Sequence, residues 1–511
     1  MISVSDAWKA VQPRFLLPET FVEMDCTIVD AKTQASATID GENEAVFSNT
    51  ASTLYDTTKM VKYATTELNL WALDGSISIT PDSAPYADVG YSSDADSVGG
   101  VLVTLPEVHT EATSGVTITW GSRYDEHPSE FTVTVKNGTE VVFEKHITGN
   151  TSQVTALFEQ FQNYDSIEIS VHKWDLPYRR VRIEKVVIGY IMTFGKKDIF
   201  SYTHEQTGHL NSGELPKNSI SFTLDNTDGK WNPSNPTGIG QYLSERQKIK
   251  VRYGLDVDGV VEWIKAGTFY LSEWRVPSNG LEANFVARDI FEYLLNETYK
   301  GQRSGTLYEL IVSAFQQAGV PDDIDNKLSP VLQTYSASLP DGREYKCAEI
   351  VQMCANAAQC VCYQDREGNL HVETLDKTQS DYIITSALSY SHPEVELSKP
   401  LKNVSVAYGT NQTYMLSPPI SYSGEIQTVS NPLVGNATQA SAIARWVADI
   451  LKTRQTVSGE FRADPRLDVF DVVTVESDKY GTLSPVVITD VRYSYSGSFK
   501  ATYTGRVLEG N

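Results

Sequence analysis

A chain of 511 residues, 41% of them hydrophobic, is long enough for about three or four domains, each with a core of its own. Its 65 Asp and Glu outnumber 42 Lys and Arg for a net charge of −23, which excludes a surface that grips phosphate backbones or anionic lipid but not an acidic wall past which nucleic acid slides. No apolar run approaches the ~18 residues of a membrane span, MISVSDAWKAVQPRF is no signal peptide, and five cysteines, four of them within sixteen residues, make a poor disulfide framework, so a soluble chain made in a reducing cytoplasm is expected.

Along the chain the dominant pattern is the two-residue alternation of strands. FVEMDCTIVDA comes first. From about 51 to 184, GVTITWGSRYD, EFTVTVKNGTEVVFEKHI and SIEISVHKW predict a compact β-sandwich, with a hairpin at Asn137-Gly138. Residues 81 to 170 hold 14 Asp or Glu against 3 Lys or Arg, nearly half the net charge. From about 185 to 300, RVRIEKVVIGYIMTF, QKIKVRYG and a second hairpin at Asp258-Gly259 predict a sheet or barrel. Residues 301 to 400 begin with two helices. TLYELIVSAFQQAGV has a Thr cap and ends near Gly319, KCAEIVQMCANAAQ follows, and a hairpin, CVCYQDREGNLHVETL, comes next. After about 401 a strand, the helix ATQASAIARWVADILKTRQ and several strands form another β-rich block. No tandem repeat is visible.

The chemistry-bearing residues are sparse. Cys347, Cys354, Cys360 and Cys362 have the spacing C-x6-C-x5-C-x-C, which is no zinc knuckle, and are read as buried small hydrophobes. His204 and His209 fall in SYTHEQTGHLNSGELP, read as a loop with a solvated or locally bonded pair. There is no metalloprotease spacing, nucleophile elbow, phosphate loop or dinucleotide fingerprint, so no catalytic residue, cofactor or metal is expected. Asp125 and Glu126, beside Trp120 and Tyr124, could be a glycosidase pair, or part of a carbohydrate platform with Trp174, Tyr178 and Trp71. In FTLDNTDGKWNPSNPTG, Asp225, Asn226, Asp228 and Gly229 come one residue too close for a calcium loop. They are read instead as Asx turns that hold a rigid loop and present Trp231 and Asn232 for assembly.

Several segments together resemble one family. They are SFTLDNTDGKWNPSNPTGIGQYLSERQKIKVRYG, VEWIKAGTFYLSEWRVPSNGLEANFVARDIFEYL, TTELNLWALDGSISITPD, CAEIVQMCANAAQCVCYQDREGNLHVE and GEFRADPRLDVFDVVTVES, with its turn at Asp464-Pro465. The chain thereby resembles the tail hub, or baseplate hub, proteins of bacteriophages of Gram-positive hosts. The resemblance implies a mainly β, multidomain fold: two hub-type β-barrel domains, a small α/β domain and an inserted β-sandwich like a carbohydrate-binding module. The first barrel would be discontinuous (1–50 with 185–300), the sandwich 51–184, the α/β domain 301–400 and the second barrel 401–511. It further implies a homotrimer at the tail tip of the virion. Six barrels would join a sixfold tail tube to threefold distal parts around a channel for DNA ejection. Partners would be a distal tail or tube protein, the tape measure protein, and a spike or fibre, with no membrane insertion. With no long extension after Leu508, any cell-wall-cutting or receptor-binding domain is expected to sit on another polypeptide, or there is none. The alternative is an adhesin that attaches to host cell-wall glycan through the sandwich.

Overall fold

The computed structural model describes residues 2–14, 18–29, 33, 36–41, 62–63, 77–78, 87–91, 99–110, 113, 115–120, 126–157, 159, 161–175, 180–232, 235, 240, 243, 245–277, 280–320, 326–417, 419–421, 423–479 and 481–508. The fold is mainly β, built of several sheets, and the chain divides into two compact units, 26–192 and 1–25 with 193–511.

The 26–192 unit is a two-layer sandwich. One layer is an antiparallel sheet in the order Thr38–Gly41, Gly99–His109, Tyr164–Trp174, Pro128–Asn137, Glu140–Thr148. The other sets Val154–Leu157, Val116–Trp120 and Arg180–Phe194 side by side. Alternation gives each layer one apolar face, and Val101, Val133 and Ile169 of the first meet Ile118, Ile183 and Val186 of the second in one core. The expected hairpin forms: Asn137 pairs with Glu140, and Gly138 takes the positive φ (58°) that the turn demands.

The other unit is built chiefly of strands, β1 to β17 in chain order. β1 is Thr20–Val29, β2 Ile199–Thr207, β3 Lys217–Asp225, β4 Lys248–Val257, β5 Val260–Arg275 and β6 Glu282–Arg288. Then come β7 Val361–Gln364, β8 Leu370–Glu373, β9 Ile383–Ile384, β10 Glu394–Leu397, β11 Leu401–Tyr408, β12 Gln412–Met415 and β13 Glu425–Ser430. Last are β14 Gln455–Phe461, β15 Val472–Ser477, β16 Gly481–Tyr495 and β17 Phe499–Val507.

One sheet order occurs twice. In the first half it is β4-β5-β6-β3-β2 and in the second β15-β16-β17-β14-β10. The flank of β4 is taken by β1, that of β15 by β9. The sequence shows no tandem repeat, yet the pairing order is duplicated. Pairing is set by which backbones meet, and it tolerates almost any alternating sequence. In each half the sheet order opens with a long hairpin, β4–β5 and β15–β16. In the first, Asp258 and Gly259 take φ of 54° and 97° and let Val257 pair with Val260. The two halves then fuse, because β2 pairs antiparallel with β16 from Tyr202↔Tyr495 to Thr207↔Asp490, making the sheet continuous.

Among the described residues, three helices of eight residues or more cover the remaining core. Leu307–Ala318 starts with a capping box, in which Thr306 Oγ1 accepts from the Glu309 N–H and the Glu309 carboxylate from the Thr306 N–H; Gly319 in the left-handed region ends it. Cys347–Ala357 and Ala437–Leu451 follow. Leu310, Ile350 and Cys354 share one cluster with Val404, Val406, Val429 and Ile443. The structure therefore departs from the division expected at 400/401. Residues 401–451 pack into the α/β core, since the apolar face of the last helix needs the other two helices to bury it. The four cysteines of that core are buried, and burial pushes the thiols of Cys354, Cys360 and Cys362 well up.

Candidate functional site

The β2–β16 seam, where both halves and the α/β core meet, concentrates the unusual chemistry of the molecule. Beneath it lies a buried polar network. The Tyr202 and Tyr253 hydroxyls are 2.9 Å apart, His204 Nδ1 is 2.7 Å from the Tyr253 hydroxyl, and His204 Nε2 is 2.8 Å from Asn218 Oδ1. Burial takes the His204 pKa down to about 4 despite the Asn218 bond, so the ring is neutral at pH 7. This corrects the reading of His204 as a loop residue: it sits on β2, facing inward. His209 does lie beyond the strand, partly exposed, 3.9 Å from Glu214.

Arg366, in the turn of the β7–β8 hairpin, clamps three parts together. Its Nε and Nη2 donate to the two carboxylate oxygens of Asp468 at 2.8 and 2.9 Å, its Nη1 to the Lys265 carbonyl at 3.0 Å, and its Nη2 also to the Leu467 carbonyl at 3.3 Å. Gln206 Nε2 on β2 donates to the same Asp468 at 3.0 Å. Burial alone would lower the guanidinium pKa, but the Asp468 charge and hydrogen bonds raise it overall. The turn is shaped for the task. Asp365 accepts from the Asn369 N–H at 2.8 Å, and Gly368 takes a φ of 97°. His371 on β8 is wedged between Asp365 (3.0 Å) and Glu373 (3.1 Å) and stacks on Tyr363; burial lowers its pKa, and the two carboxylates more than reverse that. Sequence reading missed Arg366, Asp468 and His371, because a charged residue in a turn gives no sign that it will be buried by a partner about a hundred residues away.

Just outside the seam, Gln364 fastens β7 to the first half by accepting from the Ile290 N–H at 2.6 Å and donating to the Thr268 carbonyl at 2.7 Å. Beside it Asp289 is buried. One oxygen accepts from the Phe291 N–H at 3.1 Å, and the other has no hydrogen-bond partner among the described residues.

The loop after β3 is organised as expected but does not display its tryptophan. Asp225 Oδ1 accepts from the Thr227 N–H at 3.0 Å, Asp228 from the Lys230 N–H at 3.1 Å, and Gly229 takes a φ of 70°. Asn226 is buried and accepts from the Trp231 N–H while donating to the Gly280 carbonyl, each at 2.8 Å. Those bonds turn the Trp231 ring inward, where it is 1% exposed between Phe194 and Phe285. Trp231 is thus a core anchor of the loop, not a surface presented for assembly; Asn232 is exposed.

In the sandwich, Trp120 and Trp174 are also buried. The Trp120 indole N–H donates to Thr155 at 2.9 Å and that of Trp174 to Glu126 at 3.1 Å, with the two rings edge to face. Buried rings offer no stacking platform to a sugar, which corrects that expectation. Glu126 is an indole acceptor in the core and not an exposed acid. Tyr124, Asp125, Tyr178 and Trp71 lie outside the described residues. Among the described residues no group of three or more His, Cys, Asp or Glu is placed to hold a metal ion.

No family model matches the chain, and no curated protein does. Solved structures do. The chain is similar to a 43 kDa tail protein of prophage MuSo2 from Shewanella oneidensis, at 12% identity over 62% of this chain and 95% of that one, TM-score 0.43. It is similar to a tail protein of Neisseria meningitidis MC58, at 12% identity over 62% and 94%, TM-score 0.44. It is also similar to a chitosan-binding module from a Paenibacillus sp. IK-5 chitosanase/glucanase, at 10% identity over 31% and 95%, TM-score 0.20. All three likenesses fall below a TM-score of 0.5.

Proposed function

We propose that the chain is a structural hub of a phage tail tip or baseplate and not an enzyme. One observation carries the reading: a duplicated sheet order fused through β2 and β16 into a single sheet, with Arg366 locking both halves to the α/β core. Such a chain is a rigid segment with two equivalent modules. Three copies supply six modules, the number needed to meet a sixfold tube above and threefold parts below. Tube or distal tail protein, tape measure, and spike or fibre are the partners this implies, and the acidic composition suits a channel that passes DNA without holding it. The virion tail is the corresponding location. The adhesin reading loses its main support with Trp120 and Trp174 buried.

The test is the mass of the purified chain by light scattering over a concentration series, alone and with its tube-side neighbour. A trimer under either condition is expected. A persistent monomer that binds cell-wall glycan would overturn the hub in favour of the adhesin.

A further inference from the structure

The duplicated sheet order also predicts where one copy of the chain touches the next. The two halves can be matched residue by residue from their registers. Both long strands carry a bulge against the strand that follows, between Leu271 and Glu273 in β5 and between Ile488 and Asp490 in β16. Matching the bulges makes Leu271 the counterpart of Ile488, Trp274 of Val491, and Arg275 of Arg492. Across the next strands, Ala287 opposite Leu271 matches Gly505 opposite Ile488. Ile220 opposite Ala287 matches Val457 opposite Gly505. His204 opposite Ile220 then matches Val395 opposite Val457. Glu205 is therefore the counterpart of Glu396, and Gln206 of Leu397.

These counterparts meet only once within the chain. In the β2–β16 seam Glu205 stands opposite Arg492, Oε1 to Nη1 3.2 Å, and Gln206 stands opposite Val491. The second possible meeting, β10 against the end of β5, is not made among the described residues, β5 lying inside the sheet path between β4 and β6. β10 is the terminal strand of that path. Along β5, the last backbone bonds on the edge away from β6 join Leu271 to Arg246 and Gln247, leaving 272–275 unpaired on that side among the described residues. Glu396 and Arg275 are exposed, and neither has an ion-pair partner among the described residues. Leu397 is 62% exposed, an uncovered apolar side chain on an open edge, which proteins ordinarily avoid.

We propose that β10 of one copy pairs antiparallel with residues 272–275 of a second copy, Glu396 opposite Arg275 and Leu397 opposite Trp274, repeating between chains the seam that β2 and β16 make within one. The charge complementarity is that of Glu205 with Arg492, and the covered leucine accounts for its exposure in the single chain. The contact is head to tail, so successive copies either close a ring or extend a filament; that it closes after three copies rests on the hub reading above.

Residues directly opposite in an antiparallel pair have Cα atoms about 4.5–5.5 Å apart, within disulfide reach. The chain carrying Leu397→Cys and Trp274→Cys, oxidised while assembled, should run as dimers and higher multiples on a non-reducing gel. Leu397→Cys with Ser272→Cys, two residues out of register, should cross-link at least tenfold less. The five native cysteines are buried and contribute little background. Independently, Arg275→Glu should raise the concentration for half-assembly at least tenfold, and adding Glu396→Arg to the same chain should restore it. An oligomer by light scattering with no 397–274 cross-link and no effect of Arg275→Glu would overturn this interface and leave the hub standing. A chain that stays monomeric even with its tube-side neighbour would overturn both.

Discussion

The two halves of the duplicated sheet share a pairing order and close the equivalent loops, after β3 and after β14, by opposite chemistry. In the first half the loop after β3 is held from inside by an apolar ring, Trp231, with Asn226 satisfying the backbone beneath it. In the second half the loop after β14 is held by charge. Asp464 is buried and takes the Arg466 Nε at 2.9 Å, the Tyr493 hydroxyl donates to the Leu467 carbonyl at 2.6 Å, and Arg366 reaches in to Asp468. An apolar anchor needs only volume, whereas an ionic one needs a partner from elsewhere. The second loop is accordingly where the α/β core attaches, and the first loop is self-sufficient. One architecture can thus be closed locally in one copy and used as a socket in the other.

The largest break in this comparison should come from Trp231→Ala, at about 3–5 kcal/mol of stability from cavity formation. It reads out as a lower urea midpoint with an unchanged slope. Trp231→Phe should cost far less, because the indole N–H has no hydrogen-bond partner among the described residues. A midpoint unmoved by the alanine would remove Trp231 as the anchor. Next comes Arg366→Met, at about 3 kcal/mol, the low end for a broken buried ion pair because Asp468 keeps some contact with water. Adding Asp468→Leu should recover part of the loss; a double variant worse than the single would mean the pair is not the clamp.

How far sequence could see this depends on the range of the interaction. Strands, both hairpins and the Thr306–Gly319 helix are legible because alternation, Asn-Gly or Asp-Gly turns and caps act over a few residues. Faces are less legible. Trp120 and Trp174 alternate correctly, but alternation does not say which face is wet, so from sequence a core pair looks like a platform. His204 was hidden because Thr-His-Glu-Gln-Thr is polar on both faces, and only the fused seam makes the inner one a core. The duplication is the least legible of all, since it is written in the registers and not in the residues.

Two buried groups give the seam region a pH profile whose slopes differ in sign. Burial pushes the Asp289 carboxyl up to about 8, with Glu292 adding to it and the Phe291 N–H and Arg288 opposing it. Between an unfolded value of about 3.9 and that of the folded state, the folded chain holds a proton the unfolded chain lacks, so stability falls as pH rises. His204 works the other way. Its folded value of about 4 lies below an unfolded value of about 6.5, so stability rises with pH across that interval. The two offset each other up to about pH 6.5, and from there to about pH 8 only the Asp289 slope remains of the pair. Asp289→Asn should therefore gain on the order of 2 kcal/mol over wild type at pH 8 and flatten the pH 6.5–8 segment of the urea midpoint. An unaltered slope in the variant would assign the titration to another group.

The smallest effect tests the comparison at the seam itself. Glu205 is a third exposed and shared between Lys217 at 2.8 Å and Arg492 at 3.2 Å; the Lys217 hydrogen bond chiefly holds its carboxyl below the usual range. Glu205→Gln should cost about 0.5 kcal/mol, as exposed pairs do, because the backbone ladder from Tyr202 to Thr207 and the rings beneath it stay in place. Within one chain the seam is formed as part of folding and needs no ion pair to bring its strands together. Between chains the same pairing must also offset the lost freedom of a second molecule, and a single charge then weighs on the equilibrium far more. A loss above about 1.5 kcal/mol for Glu205→Gln would mean that the intrachain seam also leans on its charges, and would erase that distinction.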